Sequence, residues 1–313
     1  MTSGANMSVF ELQWSVVFPL YSVYIALGSL AIASNVLACC VYASSKVLRL
    51  RCTLLIVLCV TDLINGFAFV LSGVQRLNLV QQMHNVYGFP MVKRAYCARQ
   101  LHNVLMIVGS QWPSCVVFCI GMERFLAVTF PFKFSAMRDR NIGLVVGLTA
   151  LLTLLSVTVG VISGSVVKGN DEVYFSCTVN RSFGDAYGTF NYSITIFGHT
   201  FGFFFSCSAF CYATNWLQKS KIRLCLAISI LSVCLVSLPN VLLYVAKFHR
   251  IDNRILGYVY CLFCFRSALN FVTSTAFSRD FNAQIRHLTA RIFPARQATT
   301  EVTHLNQASS VGF

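Results

Sequence analysis

From residue 100 to residue 122 the chain reads QLHNVLMIVGSQWPSCVVFCIGM, without a single Asp, Glu, Lys or Arg. A helix rises about 1.5 Å per residue, so this stretch is long enough to cross the ~30 Å apolar core of a bilayer. Four similar charge-free stretches lie between Glu11 and Lys46, Arg140 and Lys168, Asp185 and Lys219, and Arg223 and Lys247. The sequence therefore predicts five membrane spans from charge-free stretches alone.

Two further apolar stretches are each interrupted by one charge. Asp62 lies in the stretch of about residues 53–74, and Arg266 lies in that of about residues 255–277. A charge in mid-span is costly in lipid and needs a partner or a cavity. With these two, the sequence predicts an all-α membrane protein, a seven-transmembrane helix bundle that occupies residues 18–277.

Composition excludes a water-soluble domain. The chain has 56% hydrophobic and 11% charged residues, whereas soluble domains carry roughly 25% charged residues. The formal charge of +14 is scattered between apolar runs, which is typical of membrane edges and predicts no nucleic-acid partner. Most of the 14 cysteines lie inside apolar runs, and the two predicted outside them are Cys97 and Cys177.

The charges that flank the spans predict the orientation. Residues 1–17 contain no Lys or Arg, whereas the first loop holds Lys46, Arg49 and Arg51. This bias predicts an extracellular N-terminus of a multi-pass plasma-membrane protein, without a cleaved signal peptide. The glycosylation sequons of the chain all fall outside or at the outer edge in this topology; they are at Asn6, Asn180 and Asn191.

Residues 278–313 differ from the rest of the chain. Over residues 279–292 the helical period puts Phe281, Ile285, Leu288 and Ile292 on one face. This pattern predicts a short amphipathic C-terminal helix on the cytoplasmic membrane surface. Residues beyond Pro294 lack periodicity and are predicted to form a disordered tail.

The predicted cytoplasmic end of span three carries Glu123-Arg124-Phe125-Leu126-Ala127-Val128. This run resembles the Asp/Glu-Arg-Tyr signature of rhodopsin-like G-protein-coupled receptors. Alone, it also fits an ordinary arginine that reaches for the membrane surface. Other positions match marker residues of that family in the same order, which makes the resemblance more specific; they are Asn35, Leu58, Asp62, Pro239, Asn270 and Phe281.

Within that family, the chain is most similar to the nematode serpentine chemoreceptors of the Srsx type. The similarity is carried by the run from Glu123 through Pro131 and by the segment from Asn270 to Phe281. The chain departs from the wider family in span seven, where no Pro follows Asn270 and Ser274 stands in place of a Tyr. It also has no Trp shortly before Pro239.

The resemblance assigns roles to several residues. It implies that Glu123, Arg124 and Phe125 couple to a heterotrimeric G protein, and that Cys97 and Cys177 form a disulfide, although two unrelated thiols are the alternative. The family often binds sodium at the position of Asp62. We expect Arg266 to replace that ion by pairing with Asp62, next to Asn35 and Asn270 in a polar core; the alternative is that Arg266 points into an aqueous ligand cavity.

An extracellular ligand, a small molecule or peptide, is expected between spans three, five, six and seven. Met106 stands where receptors for biogenic amines carry an Asp, so an amine ligand is not expected. Each candidate pocket residue equally fits packing against a neighbouring helix; the candidates are His102, Met106, Ser110, Asn240, Tyr244 and Tyr260.

A transporter or ligand-gated channel with Asp62 and Arg266 along its pathway is the alternative function. The sequence predicts no enzyme, cofactor or metal site, because it lacks a His-Glu-x-x-His or Gly-x-Ser-x-Gly arrangement. Serine and threonine residues in the tail are candidate phosphorylation sites for an arrestin partner. The receptor interpretation is preferred because the family's markers occur in order.

Overall fold

The computed structural model describes residues 3–82, 91–174, 177–246, 248–249 and 253–292. Within them, six helices are long and apolar enough to cross a membrane, and a bent helix pair supplies a seventh crossing. The predicted all-α bundle is confirmed. The helices are α1 (Ser3–Ala43), α2 (Lys46–Arg51), α3 (Thr53–Gln82), α4 (Arg94–Ala98), α5 (Leu101–Thr129), α6 (Pro131–Ile162), α7 (Val179–Phe183), α8 (Asp185–Tyr212), α9 (Trp216–Ser232), α10 (Leu238–Val245), α11 (Asn253–Ala268), α12 (Asn270–Phe277) and α13 (Arg279–Ile292).

Spans one to five are α1, α3, α5, α6 and α8. Span six is α9 and α10 joined by the π-helical turn Val233–Ser237, and span seven is the pair α11 and α12. The helix of span one begins at Ser3, so the backbone of the predicted N-terminal segment is also helical, while its apolar membrane-length part is Phe18–Ala43. A second π-helical turn, Ser163–Val167, ends span four.

A small two-stranded β-sheet and a disulfide define one end of the bundle. Strands β1 (Met91–Lys93) and β2 (Glu172–Tyr174) pair antiparallel, and Cys97 is bonded to Cys177. We call this the disulfide end, and the opposite end the Arg124 end. Because the bond joins the start of span three to the segment before span five, it fixes the connection between spans four and five across this end.

The interior consists of two apolar clusters separated by a polar layer. One cluster, towards the disulfide end, includes Tyr24, Phe69 and Ile107. The other, towards the Arg124 end, includes Tyr42 and Leu58. The polar layer between them contains buried Asn, Ser, Asp and Arg side chains from spans one, two and seven. Apolar packing on both sides therefore keeps lipid from the charged residues.

The outer surface of the bundle is apolar, as a lipid solvent requires. Span four illustrates it, since Leu144, Leu151 and Val159 have exposed fractions of 68%, 53% and 61%. A soluble protein would not expose so many large aliphatic side chains on one helix. A bilayer offers no water to backbone groups, so helices, which satisfy most of their own backbone hydrogen bonds, are suited to crossing it.

The predicted amphipathic helix is α13. Phe281 is fully buried against the Tyr42 ring, with centroids 4.7 Å apart, and Ile285 and Leu288 pack against the same cluster. Gln284 donates to the Ser44 hydroxyl at the end of span one. The predicted apolar face thus contacts the bundle itself at the Arg124 end. The side chain of Ile292 and the predicted disordered tail lie outside the described residues.

Spans one and two approach closely where each carries a glycine. A Cβ atom added to Gly66 would lie 2.9 Å from the Gly28 carbonyl oxygen, and one added to Gly28 would lie 2.8 Å from that of Gly66. Small residues at such crossings let helix backbones meet, and van der Waals packing is the main attraction between helices in lipid.

We expect Gly66→Ala to destabilise the protein by about 1–3 kcal/mol, because the new methyl group meets backbone rather than a movable side chain. Gly143→Ala is the matched control, since a Cβ atom there has nothing within 4 Å. The free energy of unfolding of that control should rise by about 0.5–1 kcal/mol, because alanine has a higher helix propensity than glycine. Thermal unfolding in detergent measures both; equal midpoints for the two variants would contradict the close crossing.

Candidate functional site

The centre of the polar layer is the carboxylate of Asp62, which is 1% exposed. Arg266 Nη1 lies 2.6 Å from one of its oxygens and 2.5 Å from the other. The Ser267 hydroxyl donates to the first oxygen at 2.9 Å, and Asn270 Nδ2 donates to the second. Span seven therefore supplies donors to both oxygens and the positive charge that neutralises them.

Arg266 ties span seven to span six as well as to span two. Its Nε donates to the Ser232 hydroxyl at 3.1 Å, while Nη1 contacts Asp62. The remaining nitrogen, Nη2, is buried without a hydrogen-bond partner among the described residues. The structure thus brings together the two charges that the sequence analysis expected to pair, and a cation is not needed to neutralise Asp62.

Span seven bends by 43° between α11 and α12, although no proline is present there. Asn35 Nδ2 donates to the Ser267 carbonyl, and the Phe271 amide donates to the Ser34 hydroxyl. In a regular helix that carbonyl and that amide would bond to each other. Two side chains of span one thus replace one backbone hydrogen bond of the helix. Such a replacement is a recognised cause of a kink.

Asn270 follows directly after the bend and completes the polar core. Its Nδ2 also lies 2.9 Å from Asn35 Oδ1, so one amide group contacts both span one and span two. The predicted polar-core residues therefore form one connected network; they are Asn35, Asp62, Arg266 and Asn270.

A small cavity lies directly on the disulfide side of this network. Its volume is about 40 Å³, which is room for roughly three water molecules. Pockets for drug-sized ligands measure about 300–1,000 Å³, so this cavity must widen to admit anything larger than a compact ligand. Its polar lining comes from spans two, three, five, six and seven and comprises Asp62, Asn65, Ser110, Asn191, Tyr192, His199, Asn240, Tyr260, Arg266 and Ser267.

Four of the six candidate pocket residues line this cavity: Met106, Ser110, Asn240 and Tyr260. Tyr260 donates or accepts a 2.7 Å hydrogen bond with the Tyr192 hydroxyl across spans five and seven. Asn240 Nδ2 donates to the Val236 carbonyl in the π-helical turn of span six, so this side chain also stabilises its own helix.

The other two candidates, His102 and Tyr244, do not line the cavity. Tyr244 is 37% exposed and packs edge-on against Phe248, one turn beyond Asn240 towards the disulfide end. His102 is buried one turn before Met106, close enough to Arg76 for the charge of that arginine to act on it. Their role as ligand contacts stays a prediction that the lining of this cavity does not support.

Three cavity residues of span five were not predicted as ligand contacts: Asn191, Tyr192 and His199. Asn191, Thr195 and His199 are spaced four residues apart and are all buried, so they form one inward polar stripe. Their spacing was visible in the sequence. It was missed because Asn191 was interpreted as a sequon at the outer edge of the bundle.

Asn191 does not lie at the surface of the bundle, and its burial disfavours the glycan, which stays a prediction at this site. Its side chain is buried within span five, and its Oδ1 accepts hydrogen bonds from Gln111 and Ser110 of span three. Asn180 Nδ2, the atom that would carry a glycan, donates to the Tyr192 hydroxyl at 3.0 Å, so that site is disfavoured as well. The side chain of Asn6 lies outside the described residues.

The disulfide positions one wall of the cavity. Val179, two residues after Cys177, lines it. Asn103, at the start of span three, donates to the Cys97 carbonyl at 2.9 Å and to the Ser182 hydroxyl at 3.1 Å. The segment between spans four and five is therefore held by one covalent bond and by an amide that bridges its two sides.

Glu123, Arg124 and Phe125 lie at the far end of span three. Arg124 Nη2 is 3.7 Å from a Glu123 carboxylate oxygen, and its guanidinium lies beside the Cys225 thiol of span six. Phe125 packs against the Phe205 ring of span five, with centroids 5.6 Å apart. These side chains meet spans five and six, which are the helices expected to move if this end opens.

Comparison with known families agrees with this geometry. The sequence matches the family described as "Serpentine type 7TM GPCR chemoreceptor Srsx" over residues 29–289. No curated protein matches the chain significantly. The match covers all seven spans apart from the first part of α1, and it also includes most of α13. The chain belongs to the Srsx family of serpentine chemoreceptors and is a multi-pass membrane protein.

A double-mutant cycle on Asp62 and Arg266 tests the buried pair. Asp62→Asn or Arg266→Gln alone leaves a buried charge without its partner and should cost about 3–5 kcal/mol. The double variant should be less destabilised than the sum of the two single variants. The difference, which is the coupling energy, should be about 2–3 kcal/mol. Thermal unfolding and surface expression are the measurements.

The salt bridge between Arg94 and Asp171, 2.9 Å long and partly exposed, is the control cycle. Solvent screens that pair, so its coupling should stay below about 1 kcal/mol. Additive effects of Asp62→Asn and Arg266→Gln would contradict the pairing.

Proposed function

We propose that this chemoreceptor binds an extracellular ligand in the cavity and activates a heterotrimeric G protein through Glu123, Arg124 and Phe125. The observation that carries the proposal is the arrangement along span three. Ser110 lines the cavity and Arg124 lies 14 residues further along the same helix, a rise of about 21 Å. One helix thus connects the small cavity to an arginine that lies beside span six.

The orientation follows from chemistry at the two ends. A disulfide persists in the oxidising extracellular environment, which favours the disulfide end outside the cell. The short helix Lys46–Arg51 places three basic residues at the Arg124 end, as expected for a cytoplasmic loop. We therefore propose a plasma-membrane location with the N-terminus outside, and Asn6 as the sequon available for a glycan.

The polar network supplies a route from ligand to G protein. Asp62 and Arg266 form the cavity floor, and Arg266 holds span six through Ser232. A ligand group that draws Arg266 towards the cavity weakens that contact and lets span six shift relative to spans two and seven. Because Arg124 lies beside Cys225 of span six, such a shift exposes its guanidinium to a partner at the cytoplasmic end.

Residues near Arg124 favour a partner with acidic or carbonyl groups. Lys219 lies over the Phe210 ring, and Arg223 stacks on Trp216 at 4.1 Å from the ring centroid, so both charges are held at this end. The C-terminal end of a helix presents free carbonyl groups and negative dipole charge. A helix terminus of a G-protein α subunit has this chemistry.

An arrestin is a second proposed partner, recruited by phosphorylated residues of the tail. The candidate residues lie outside the described part of the chain, so this proposal rests on composition alone; they are Thr299, Thr300, Thr303, Ser309 and Ser310. A transporter or channel is less well supported, because Asp62 and Arg266 neutralise each other instead of lining a continuous path.

We expect Arg124→Ala to reduce the signal of ligand-induced G-protein dissociation at least tenfold. Surface expression should stay near wild type. Arg99→Ala is the control, because Arg99 is an exposed arginine near the opposite end of the same span. A G-protein dissociation assay in transfected cells, challenged with volatile and peptide pools, provides the readout.

An Arg124→Ala variant that signals as well as wild type would contradict the assigned role. A ligand-gated current that persists without G protein would favour the channel instead.

A further inference from the structure

The half of the bundle that contains the cavity has more buried positive than negative charge. Among the described residues, its buried charged side chains are Asp62, Arg76 and Arg266, with exposed fractions of 1%, 7% and 3%. Asp62 neutralises Arg266. Arg76 of span two has no acidic partner among the described residues, and its guanidinium lies over the Tyr21 ring at 5.4 Å. Within the described part of the chain, one buried positive charge therefore lacks an opposite charge.

The uncompensated charge lies close to the cavity. Arg76 lies over the Tyr21 ring, and that ring packs through the Tyr24 ring against Phe69, which lines the cavity. A buried arginine without a partner is costly, and an anion brought within the same low-dielectric region offsets that cost. The field inside the cavity thus favours a negative ligand.

Two residues that line the cavity each have a buried nitrogen atom without a partner. Arg266 Nη2 and His199 Nδ1 are buried and have no hydrogen-bond partner among the described residues. Both residues line the cavity, and they belong to spans seven and five. Buried donors normally have partners, so a site that leaves an arginine nitrogen unpaired is prepared for an incoming acceptor.

We propose that the ligand of this receptor is a compact carboxylate. One carboxylate oxygen accepts a hydrogen bond from Arg266 Nη2, with His199 beside it, and the charge of Arg76 draws the anion into the cavity. This inference rests on the proposed function, since it takes the cavity to be the ligand site. The 40 Å³ volume admits a carboxyl group with a short apolar chain, and Met106 and Phe69 provide the apolar contacts.

Other ligand charges fit this site less well. A cationic amine would face two arginines, and the carboxylate of Asp62 already receives donors on both oxygens. A neutral amide or alcohol could pair with Arg266 Nη2 but would leave the charge of Arg76 without compensation. The difference in affinity between an acid and its amide therefore separates the effect of ligand charge from the effect of ligand shape.

The test uses purified full-length receptor in lipid nanodiscs without G protein. The probes are sodium salts of straight-chain acids from acetate to octanoate, with benzoate, each compared with its amide and with the amine of the same carbon skeleton. We expect at least one acid, at a concentration tenfold above its dissociation constant, to raise the thermal unfolding midpoint by about 3 °C or more. The matching amide and amine should leave it unchanged.

Four variants separate the roles of the charges. Arg76→Gln should weaken acid binding about tenfold or more, Arg76→Lys should largely restore it, and Arg99→Gln, at an exposed arginine, should have no effect. The neutral pair Asp62→Asn with Arg266→Gln removes the proposed hydrogen-bond donor without leaving a buried charge. It should weaken acid binding about tenfold or more, while the acid remains preferred over its amide because Arg76 is retained.

Stabilisation by amides or amines equal to that by acids, or no stabilisation by any acid of the series, overturns the proposal. Because the assay contains no G protein, acid binding without signalling would contradict the proposed coupling and leave this inference intact. Signalling in cells that is evoked by neutral or cationic ligands, with no effect of acids, would overturn this inference alone.

Discussion

The buried carboxylate of Asp62 is the constraint on which the rest of the bundle depends. An ionised carboxylate inside a membrane protein is tolerated when a charge and several donors surround it. Arg266, Ser267 and Asn270 of span seven provide these, and Arg266 also binds Ser232 of span six. Neutralising one acid therefore determines how spans two, six and seven pack against one another.

The same constraint accounts for the bend in span seven. The donors to the two carboxylate oxygens of Asp62 all come from five consecutive positions of span seven. They are Arg266, Ser267 and Asn270. The bend at Leu269 is stabilised by span one, where Asn35 and Ser34 take over the carbonyl and the amide released from the helix. The bend does not need the proline that is usual in the wider family, because these side chains replace the missing backbone hydrogen bond.

Much of this was predictable from the sequence, for physical reasons that differ between residues. Asp62 and Arg266 stood out because lipid penalises any isolated charge, and the helical period placed Arg266 one turn before Asn270. Asn191 was assigned to the surface because a sequon carries no information about which side of a helix it occupies. The cavity's extent was not predictable, since Tyr244 and Asn240 share a helical face and only the depth of the bundle distinguishes them.

Three parts of one helix bundle follow one another along its axis. They are a disulfide-bound end over a cavity, the charged floor of that cavity, and Arg124 at the opposite end. The central claim is that the first of these faces the exterior and the last faces the cytosol. Epitope tags at the N-terminus and at the C-terminus, probed with antibody on intact and then permeabilised cells, measure this directly. The account predicts that the N-terminal tag is detected on intact cells and the C-terminal tag only after permeabilisation; the reverse pattern would contradict it.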